Sequence, residues 1–166
     1  MHNINAIFLD RDGVINEKLE GDYVKSWLEF KFLPDAIVAI KLLNDKKIPV
    51  YIISNQSGIG RGLMTFEDLE NVHNKMKEEL KKQNARVDDI FVCPHAPEEN
   101  CNCRKPKPGL LQHAKEIYPS INFKHSWFIG DSDIDVQAGN SAGCNTYLLK
   151  RGESLKKVIE GILNGK

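Results

Sequence analysis

Short apolar runs alternate with longer amphipathic stretches along this chain, and this alternation limits the possible fold more than any other feature. The apolar runs are residues 6–9, 50–53, 90–92, 127–129 and 146–149. Each is followed by a segment with apolar residues at helical spacing. Strands that alternate with helices form a parallel sheet covered on both faces, because each connection must cross over the sheet. We therefore predict an α/β, Rossmann-like fold.

Composition and charge are those of an ordinary globular protein. The chain has 166 residues, of which 41% are hydrophobic and 28% charged, and its 23 basic and 23 acidic residues give a net charge of zero. This length fits one domain with a buried core, so we predict a single domain over residues 1–166. Nucleic-acid-binding proteins usually carry a basic excess, so the charge balance argues against nucleic acid as a partner.

The sequence offers no sign of a membrane partner. No apolar run reaches the roughly 20 residues that cross a bilayer. The first residues also lack the charged and then apolar pattern of a signal peptide. We therefore expect a cytoplasmic protein, and we further expect it to be a monomer.

Polar residues follow three of the predicted strands. Asp10 and Asp12 come after the first, Ser54 after the second, and Asp131 and Asp135 after the fourth. The carboxyl ends of parallel strands share one edge of the sheet, where ligands bind at a reversal of strand order. Carboxylates that converge there repel one another unless a cation neutralises them, and hard oxygen ligands favour Mg²⁺. An isolated D-x-D pair could also be a turn and a helix cap, but the other strand-end residues favour a magnesium site.

A cluster of potential metal ligands lies directly before Lys105. Its members fall within eleven residues, in the pattern C-x-H-x5-C-x-C, and are Cys93, His95, Cys101 and Cys103. Three thiolates and one imidazole complete a tetrahedral zinc site with no open position, as is typical of structural sites. The alternative is a chance group of buried cysteines, but core packing does not require four such residues so close together. We predict that Zn²⁺ holds this loop and positions Lys105, and that Cys144 is a small core residue.

Four short segments carry a family resemblance. They are residues 10–14 (DRDGV), 54–56 (SNQ), 105–106 (KP) and 130–135 (GDSDID). In their order and strand-end positions they resemble the four motifs of the haloacid dehalogenase-like phosphatases, and the resemblance covers nearly the whole chain. It implies a Mg²⁺-dependent phosphoric monoester hydrolase that works through an aspartyl phosphate.

The resemblance also implies a role for each matching residue. Asp10 is expected to be the nucleophile. Asp12 is expected to protonate the leaving oxygen and then to activate water as a base. Ser54 should hydrogen-bond a phosphoryl oxygen, and Lys105 should offset negative charge.

The same resemblance implies a set of Mg²⁺ ligands. They are the carboxylates of Asp10 and Asp131 and the backbone carbonyl of Asp12. Asp135 is expected to support these ligands. Asp133 could be a further ligand or a supporting residue, but we favour a third interpretation, in which it is a solvent-exposed residue at the start of a helix.

Residues near these motifs are candidates for contact with the substrate. They are Asp22, Tyr23, Asn55, Gln56, Ser57, Arg104 and Ser132. Tyr23 and Trp27 could stack on a ring or pack within their loop, and Arg104 could bind a second phosphate or form a surface ion pair. No large cap domain fits between the motifs, so loops 16–27 and 58–63 are expected to control access.

The substrate expectation comes from the zinc loop. Together with residues 101–109 (CNCRKPKPG), it resembles the heptose-bisphosphate branch of the family, and the histidinol-phosphatase branch carries a similar loop. This implies hydrolysis of the 7-phosphate of D-glycero-D-manno-heptose 1,7-bisphosphate, with histidinol phosphate or another sugar phosphate as the alternative. A non-catalytic, receiver-like phosphate-binding domain is a third hypothesis. Asp12 disfavours it, because an acid beside a phospho-aspartate speeds its hydrolysis.

Overall fold

The computed structural model describes residues 3–166, in which five strands alternate with five α-helices. The strands are β1 (Ala6–Leu9), β2 (Val50–Asn55), β3 (Asp89–Cys93), β4 (Ser126–Gly130) and β5 (Asn145–Leu148). The helices are α1 (Ala36–Asp45), α2 (Phe66–Lys82), α3 (Gly109–Ile117), α4 (Asp133–Ala142) and α5 (Leu155–Leu163). All five predicted strands are present, and each of their ends lies within two residues of its predicted position.

The five strands form one parallel sheet in the order β3-β2-β1-β4-β5. The chain builds β1, β2 and β3 toward one edge and then returns across β1 to add β4 and β5 on the other side. Strand order therefore reverses between β1 and β4, which is where open α/β sheets bind ligands. The α/β fold class predicted from the sequence is confirmed.

Alternate residues of each strand face opposite layers of helices. On β1, Ile7 and Leu9 belong to the apolar core shared with α1, α2 and α5, whereas Ala6 and Phe8 belong to the core shared with α3 and α4. Burying one large apolar side chain contributes about 1.5–3 kcal/mol. Two cores, one on each face, therefore hold the central strand and the residues that follow it in a fixed place.

Local sequence signals set the ends of two helices near the strand ends. The Asp68 amide donates to the Thr65 hydroxyl at 3.0 Å, and the Thr65 amide donates to the Asp68 carboxylate at 2.8 Å, which is a capping box whose Thr-x-x-Asp pattern is visible in the sequence. α4 ends at Gly143, whose φ of 96° lies in the left-handed region that glycine adopts without strain. These local interactions therefore fix where α2 begins and where α4 ends.

The segments that the sequence assigned to substrate access are loops. Residues 17–26 and 58–63 contain neither strand nor α-helix, and no cap domain interrupts the described chain between β1 and β5. Within residues 3–166, no helix is both long enough and apolar enough to cross a membrane.

Candidate active site

Two acidic residues meet at the reversal of strand order. Asp10 directly follows β1 and Asp131 directly follows β4, and the sheet register pairs Leu9 with Ile129 just before them. Gly13 lies in the loop after β1 with a φ of 86°, and a Cβ atom there would come within 2.1 Å of an Asp131 carboxylate oxygen. The glycine therefore allows this loop to close onto Asp131.

A buried lysine connects Asp10 to a further carboxylate. The Lys105 ammonium lies 3.1 Å from Asp10 Oδ1 and 2.6 Å from Asp135 Oδ1, and it donates to the Ile53 carbonyl at 3.0 Å. Burial alone would lower the pKa of Lys105, but the Asp10 and Asp135 carboxylates outweigh it, and the pKa is raised overall. Lys105 therefore stays a cation inside the site.

The site holds more negative charge than the Lys105 cation alone neutralises. Oxygen atoms of Asp10, Asp131 and Asp135 all lie within 4.8 Å of one another, and Asp131 Oδ1 is buried without a hydrogen-bond partner among residues 3–166. Burial raises the pKa of Asp10 well above its usual value; Lys105 opposes this rise, and the neighbouring carboxylates add to it. A hard cation on these oxygens would favour the ionised form of Asp10, so the residues present fit Mg²⁺.

Three donors hold the Asp12 carboxylate. Arg11 Nη2 lies 2.9 and 3.2 Å from its two oxygens, and Asn16 Nδ2 and Gln56 Nε2 each donate to it at 2.9 Å. Burial would raise the pKa of Asp12, but the Arg11 charge and the hydrogen bonds from Asn16, Arg11 and Gln56 lower it overall. Asp12 is thus an ionised carboxylate here, which is the form that acts as a base.

A cleft of about 190 Å³ opens from these carboxylates to solvent. Most candidates from the sequence line it, and these are Asp10, Asp12, Asp22, Tyr23, Asn55, Ser57, Arg104, Lys105, Asp131 and Ser132. Asn55 also exchanges two hydrogen bonds with the Lys105 backbone, at 3.1 and 3.2 Å. Arg104 Nη1 is buried and has no partner within the described part of the chain. Because Arg104 lines the cleft, its guanidinium charge faces the space that an anionic ligand would enter.

Two candidates lie behind the wall of the cleft. Ser54 and Gln56 are both buried, and Gln56 Nε2 donates to Ser54 Oγ at 2.8 Å as well as to Asp12. In this arrangement the Gln56 amide positions Asp12 instead of facing the cleft. Trp27 stacks on Phe30 with 4.9 Å between ring centroids and lies off the cleft, so the loop-packing alternative is the one observed.

Sequence reasoning did not single out Lys18 or His73. The Lys18 ammonium lies on the cleft wall, 3.3 Å from Asp131 Oδ2. His73, on the buried face of α2, lies 3.0 Å from Arg11. Neither belongs to a motif, and tertiary packing alone places each of them, so the sequence contains no signal that marks them. Asp133, which the sequence left open, is exposed and lies off the cleft.

The predicted zinc ligands converge at the end of β3. Cys93 Sγ lies 3.5 Å from Cys101 Sγ and 3.0 Å from Cys103 Sγ. His95 Nδ1 is 3.5 and 3.2 Å from the sulfurs of Cys93 and Cys103. Zn–S bonds of about 2.3 Å place tetrahedral sulfurs about 3.8 Å apart, so the observed spacing approaches that of a bound ion. Burial, followed by the Cys103 sulfur, raises the pKa of Cys93. Burial also opposes ionisation of Cys101, but the Arg104 backbone hydrogen bond and the neighbouring sulfurs lower its pKa to about 6. Three sulfurs and one imidazole nitrogen in this arrangement fit Zn²⁺.

Curated relatives of this chain are named as phosphatases. The HAD-hydrolase-like family model matches residues 102–162. A relative from Pseudomonas aeruginosa, named D-glycero-beta-D-manno-heptose-1,7-bisphosphate 7-phosphatase, is 39% identical over 161 residues, which cover 97% of this chain and 89% of the relative. A relative from Mycobacterium bovis, named D-glycero-alpha-D-manno-heptose-1,7-bisphosphate 7-phosphatase, is 37% identical over 136 residues, which cover 82% of this chain and 72% of the relative.

A solved structure has the same architecture. It is D,D-heptose 1,7-bisphosphate phosphatase from B. bronchiseptica in complex with magnesium and phosphate, and it aligns with a TM-score of 0.91 at 34% identity. The alignment covers 98% of this chain and all of the other. Identity of this level over nearly the full length of both chains shows the family: this chain belongs to the haloacid dehalogenase-like hydrolases.

Proposed function

We propose that this chain is a Mg²⁺-dependent phosphatase that hydrolyses the 7-phosphate of a D-glycero-D-manno-heptose 1,7-bisphosphate through an aspartyl phosphate on Asp10. The observation that carries the proposal is the place of Asp10, at the strand reversal, facing an open cleft and 3.1 Å from the buried Lys105 ammonium. A carboxylate there can attack phosphorus with a fixed positive charge beside it. The names of the relatives support the substrate class.

The reaction needs two carboxyl groups in different states. In the first step an Asp10 oxygen attacks phosphorus, the bond from phosphorus to the sugar oxygen breaks, and that oxygen takes a proton from Asp12. Asp12 gains this proton as substrate binds, because a phosphate dianion beside an ionised carboxylate raises its pKa. In the second step Asp12 removes a proton from water, the water oxygen attacks phosphorus, and the bond to Asp10 breaks. Phosphate leaves, Asp10 is a carboxylate again, and Asp12 gives its proton to solvent, which restores the ionised form of the free protein.

Mg²⁺ would be held by the carboxylates of Asp10 and Asp131 and by the backbone carbonyl of Asp12. When bound, it neutralises charge on the phosphoryl oxygens and favours ionised Asp10. Asp135 supports this arrangement, since its Oδ2 accepts from the Asp131 amide at 3.1 Å while its Oδ1 faces Lys105. Ser54 Oγ accepts from Gln56 and lies just behind the lining residues, so the proposed hydrogen bond from Ser54 requires a phosphoryl oxygen that reaches the inner end of the cleft.

The substrate's sugar and second phosphate are assigned to the open side of the cleft. The proposed contacts there are Asp22, Tyr23, Asn55, Ser57, Arg104 and Ser132. Gln56 contributes indirectly, through the hydrogen bond by which it holds Asp12.

Neutralising Lys18 should tighten Mg²⁺ binding. Its ammonium lies 3.3 Å from an Asp131 oxygen and is about half exposed, so it competes with a cation for that carboxylate. An exposed ion pair contributes about 0.2–1 kcal/mol, which corresponds to a gain of up to about fivefold in affinity for Lys18→Gln. Calorimetric titration of Mg²⁺ into the phosphate-free protein measures this affinity. Lys31→Gln is the matched control, because Lys31 pairs with Glu17 instead and is 74% exposed. Equal affinities in all three proteins would contradict the prediction.

Removing Arg104 should erase the preference for a bisphosphate. A charge-assisted contact between its guanidinium, which lines the cleft, and the second phosphate contributes about 1.5–3 kcal/mol. Arg104→Ala should therefore lower kcat/KM about ten- to a hundredfold for the heptose 1,7-bisphosphate. The same substitution should lower kcat/KM much less for the corresponding 7-monophosphate, which lacks the second phosphate.

The assay for this prediction uses both anomers of the bisphosphate, because relatives named for each match this chain. Arg86→Ala is the matched control, since Arg86 is exposed and pairs with Asp88 before β3. Histidinol phosphate is the competing substrate. Faster turnover of histidinol phosphate by the unmodified protein would overturn the substrate assignment, whereas an unchanged preference in Arg104→Ala would overturn only its proposed cause.

A further inference from the structure

α2 places a histidine on its buried face. The other buried residues of the helix are apolar, at helical spacing, and are Leu69, Val72, Met76 and Leu80. His73 Nε2 lies 3.0 Å from Arg11 Nη1. A guanidinium can only donate, so Nε2 is the acceptor and the ring proton lies on Nδ1. Burial, and then the Arg11 charge, lower the pKa of His73 to about 3, so the ring is neutral near neutral pH.

Arg11 is a fully buried cation whose two ends have separate partners. Its Nη1 faces His73, whereas its Nη2 lies 2.9 and 3.2 Å from the Asp12 oxygens. Its guanidinium carbon lies 5.9 Å from the centre of the Phe30 ring. Because the guanidinium is planar and rigid, an acceptor that fixes one end also sets the direction in which the other end points. The orientation of Arg11 toward Asp12 therefore depends on what stands at position 73.

We propose that His73 is a positioning residue of the reaction: by accepting from Arg11, it holds the Asp12 carboxylate where it serves as acid and base. The inference rests on the proposed function, in which Asp12 protonates the leaving oxygen. His73 lies 62 residues from Arg11 in the sequence and is not among the residues that line the cleft. It acts only through Arg11 and has no contact with substrate.

The dependence of rate on the leaving group tests this role. A leaving oxygen of low basicity departs without a proton, whereas a basic one needs the acid. The probes are phenyl phosphates that differ only in a para substituent, from phenyl phosphate to p-nitrophenyl phosphate. The quantity is kcat/KM, because it reports the steps up to departure of the leaving group. If Asp12 is misplaced, kcat/KM depends more steeply on leaving-group basicity. General damage to the fold instead lowers kcat/KM by the same factor for all the phenyl phosphates.

His73→Leu removes the acceptor and suits the apolar face of α2. We expect kcat/KM to fall about 10- to 100-fold for phenyl phosphate and less than about threefold for p-nitrophenyl phosphate. His73→Gln keeps an acceptor oxygen at similar reach and should recover most of the loss. In an Arg11→Met background, His73→Leu should add nothing, because the two residues act as one unit. Met76→Leu, on the same buried face of α2, is the control and should leave the dependence unchanged.

A crystal structure of His73→Leu gives a second measurement that does not depend on aryl phosphates as substrates. Arg11 Nη2 should move about 1 Å or more relative to Asp12, a displacement large enough to affect the chemistry. An undisturbed Arg11–Asp12 pair, or parallel rates across the phenyl phosphates, would overturn the role of His73. Asp12→Asn distinguishes a failure of the role proposed for Asp12 from a failure of the role proposed for His73. If it leaves the leaving-group dependence unchanged, the proposed function of Asp12 fails; if it steepens the dependence while His73→Leu does not, only the inference about His73 fails.

Discussion

Asp10→Asn should abolish phosphatase turnover while the protein remains folded. Asparagine has the shape of aspartate but cannot attack phosphorus as a carboxylate, so the covalent route is lost and kcat should fall at least ~10³-fold. Lys105 keeps its contacts with Asp135 at 2.6 Å and with the Ile53 carbonyl at 3.0 Å. The substitution also removes one of several mutually repelling charges, so the melting temperature should not fall.

Two measurements check this prediction. Phosphate release gives the loss of turnover, and acid quenching during turnover gives the protein-bound phosphate, which should disappear in Asp10→Asn. Asp45→Asn is the matched control, because Asp45 ends α1 far from the cleft and pairs with the exposed Lys41. Turnover near that of the unmodified protein in Asp10→Asn would remove Asp10 as the nucleophile.

Cys101→Ser should release one zinc ion per chain and lower thermal stability. The binding free energy of a structural zinc site is largely folding free energy. For a chain of this size, each kcal/mol lost lowers Tm by about 2–4 °C, so the loss of several kcal/mol should lower Tm by about 10 °C. Activity should fall about tenfold as a secondary effect, because the cluster holds the loop that leads to Arg104 and Lys105.

Elemental analysis and a thermal melt test the zinc prediction together. Cys144→Ala is the matched control, since Cys144 is a buried cysteine in the core beside β5 and should leave the zinc content unchanged. Purified protein that contains no zinc and is fully active would contradict the prediction. So would a Cys101→Ser protein that melts at the temperature of the unmodified chain.

Much of the fold could be predicted because its signals are local. The apolar runs marked the strands, and the Thr65–Asp68 pair marked the start of α2. The convergence of Asp10 and Asp131 followed from a general property of parallel sheets, whose carboxyl ends meet at one edge. The cysteine and histidine spacing likewise predicted a cluster that the structure brings together.

What could not be predicted depends on packing between distant segments. The sequence placed Gln56 against substrate, yet its amide is used to hold Asp12, because the turn after β2 directs it inward. Trp27 had two interpretations, and the nearby Phe30 ring decided between them. His73 reads as one more residue on an amphipathic helix, and its link to Arg11 spans 62 positions. No local pattern encodes such a contact.

The order of strands in the sheet also affects how the chain is made. β1, the central strand, pairs on one side with β4, which begins more than a hundred residues later in the chain. Until Ser126 and the strand it begins have left the ribosome, Ile7 and Leu9 lie on an open sheet edge, which is a site for unwanted strand pairing. The mutually repelling carboxylates are also kept apart until then. A chain truncated before β4 would therefore have an incomplete active site and an unpaired strand edge that favours aggregation.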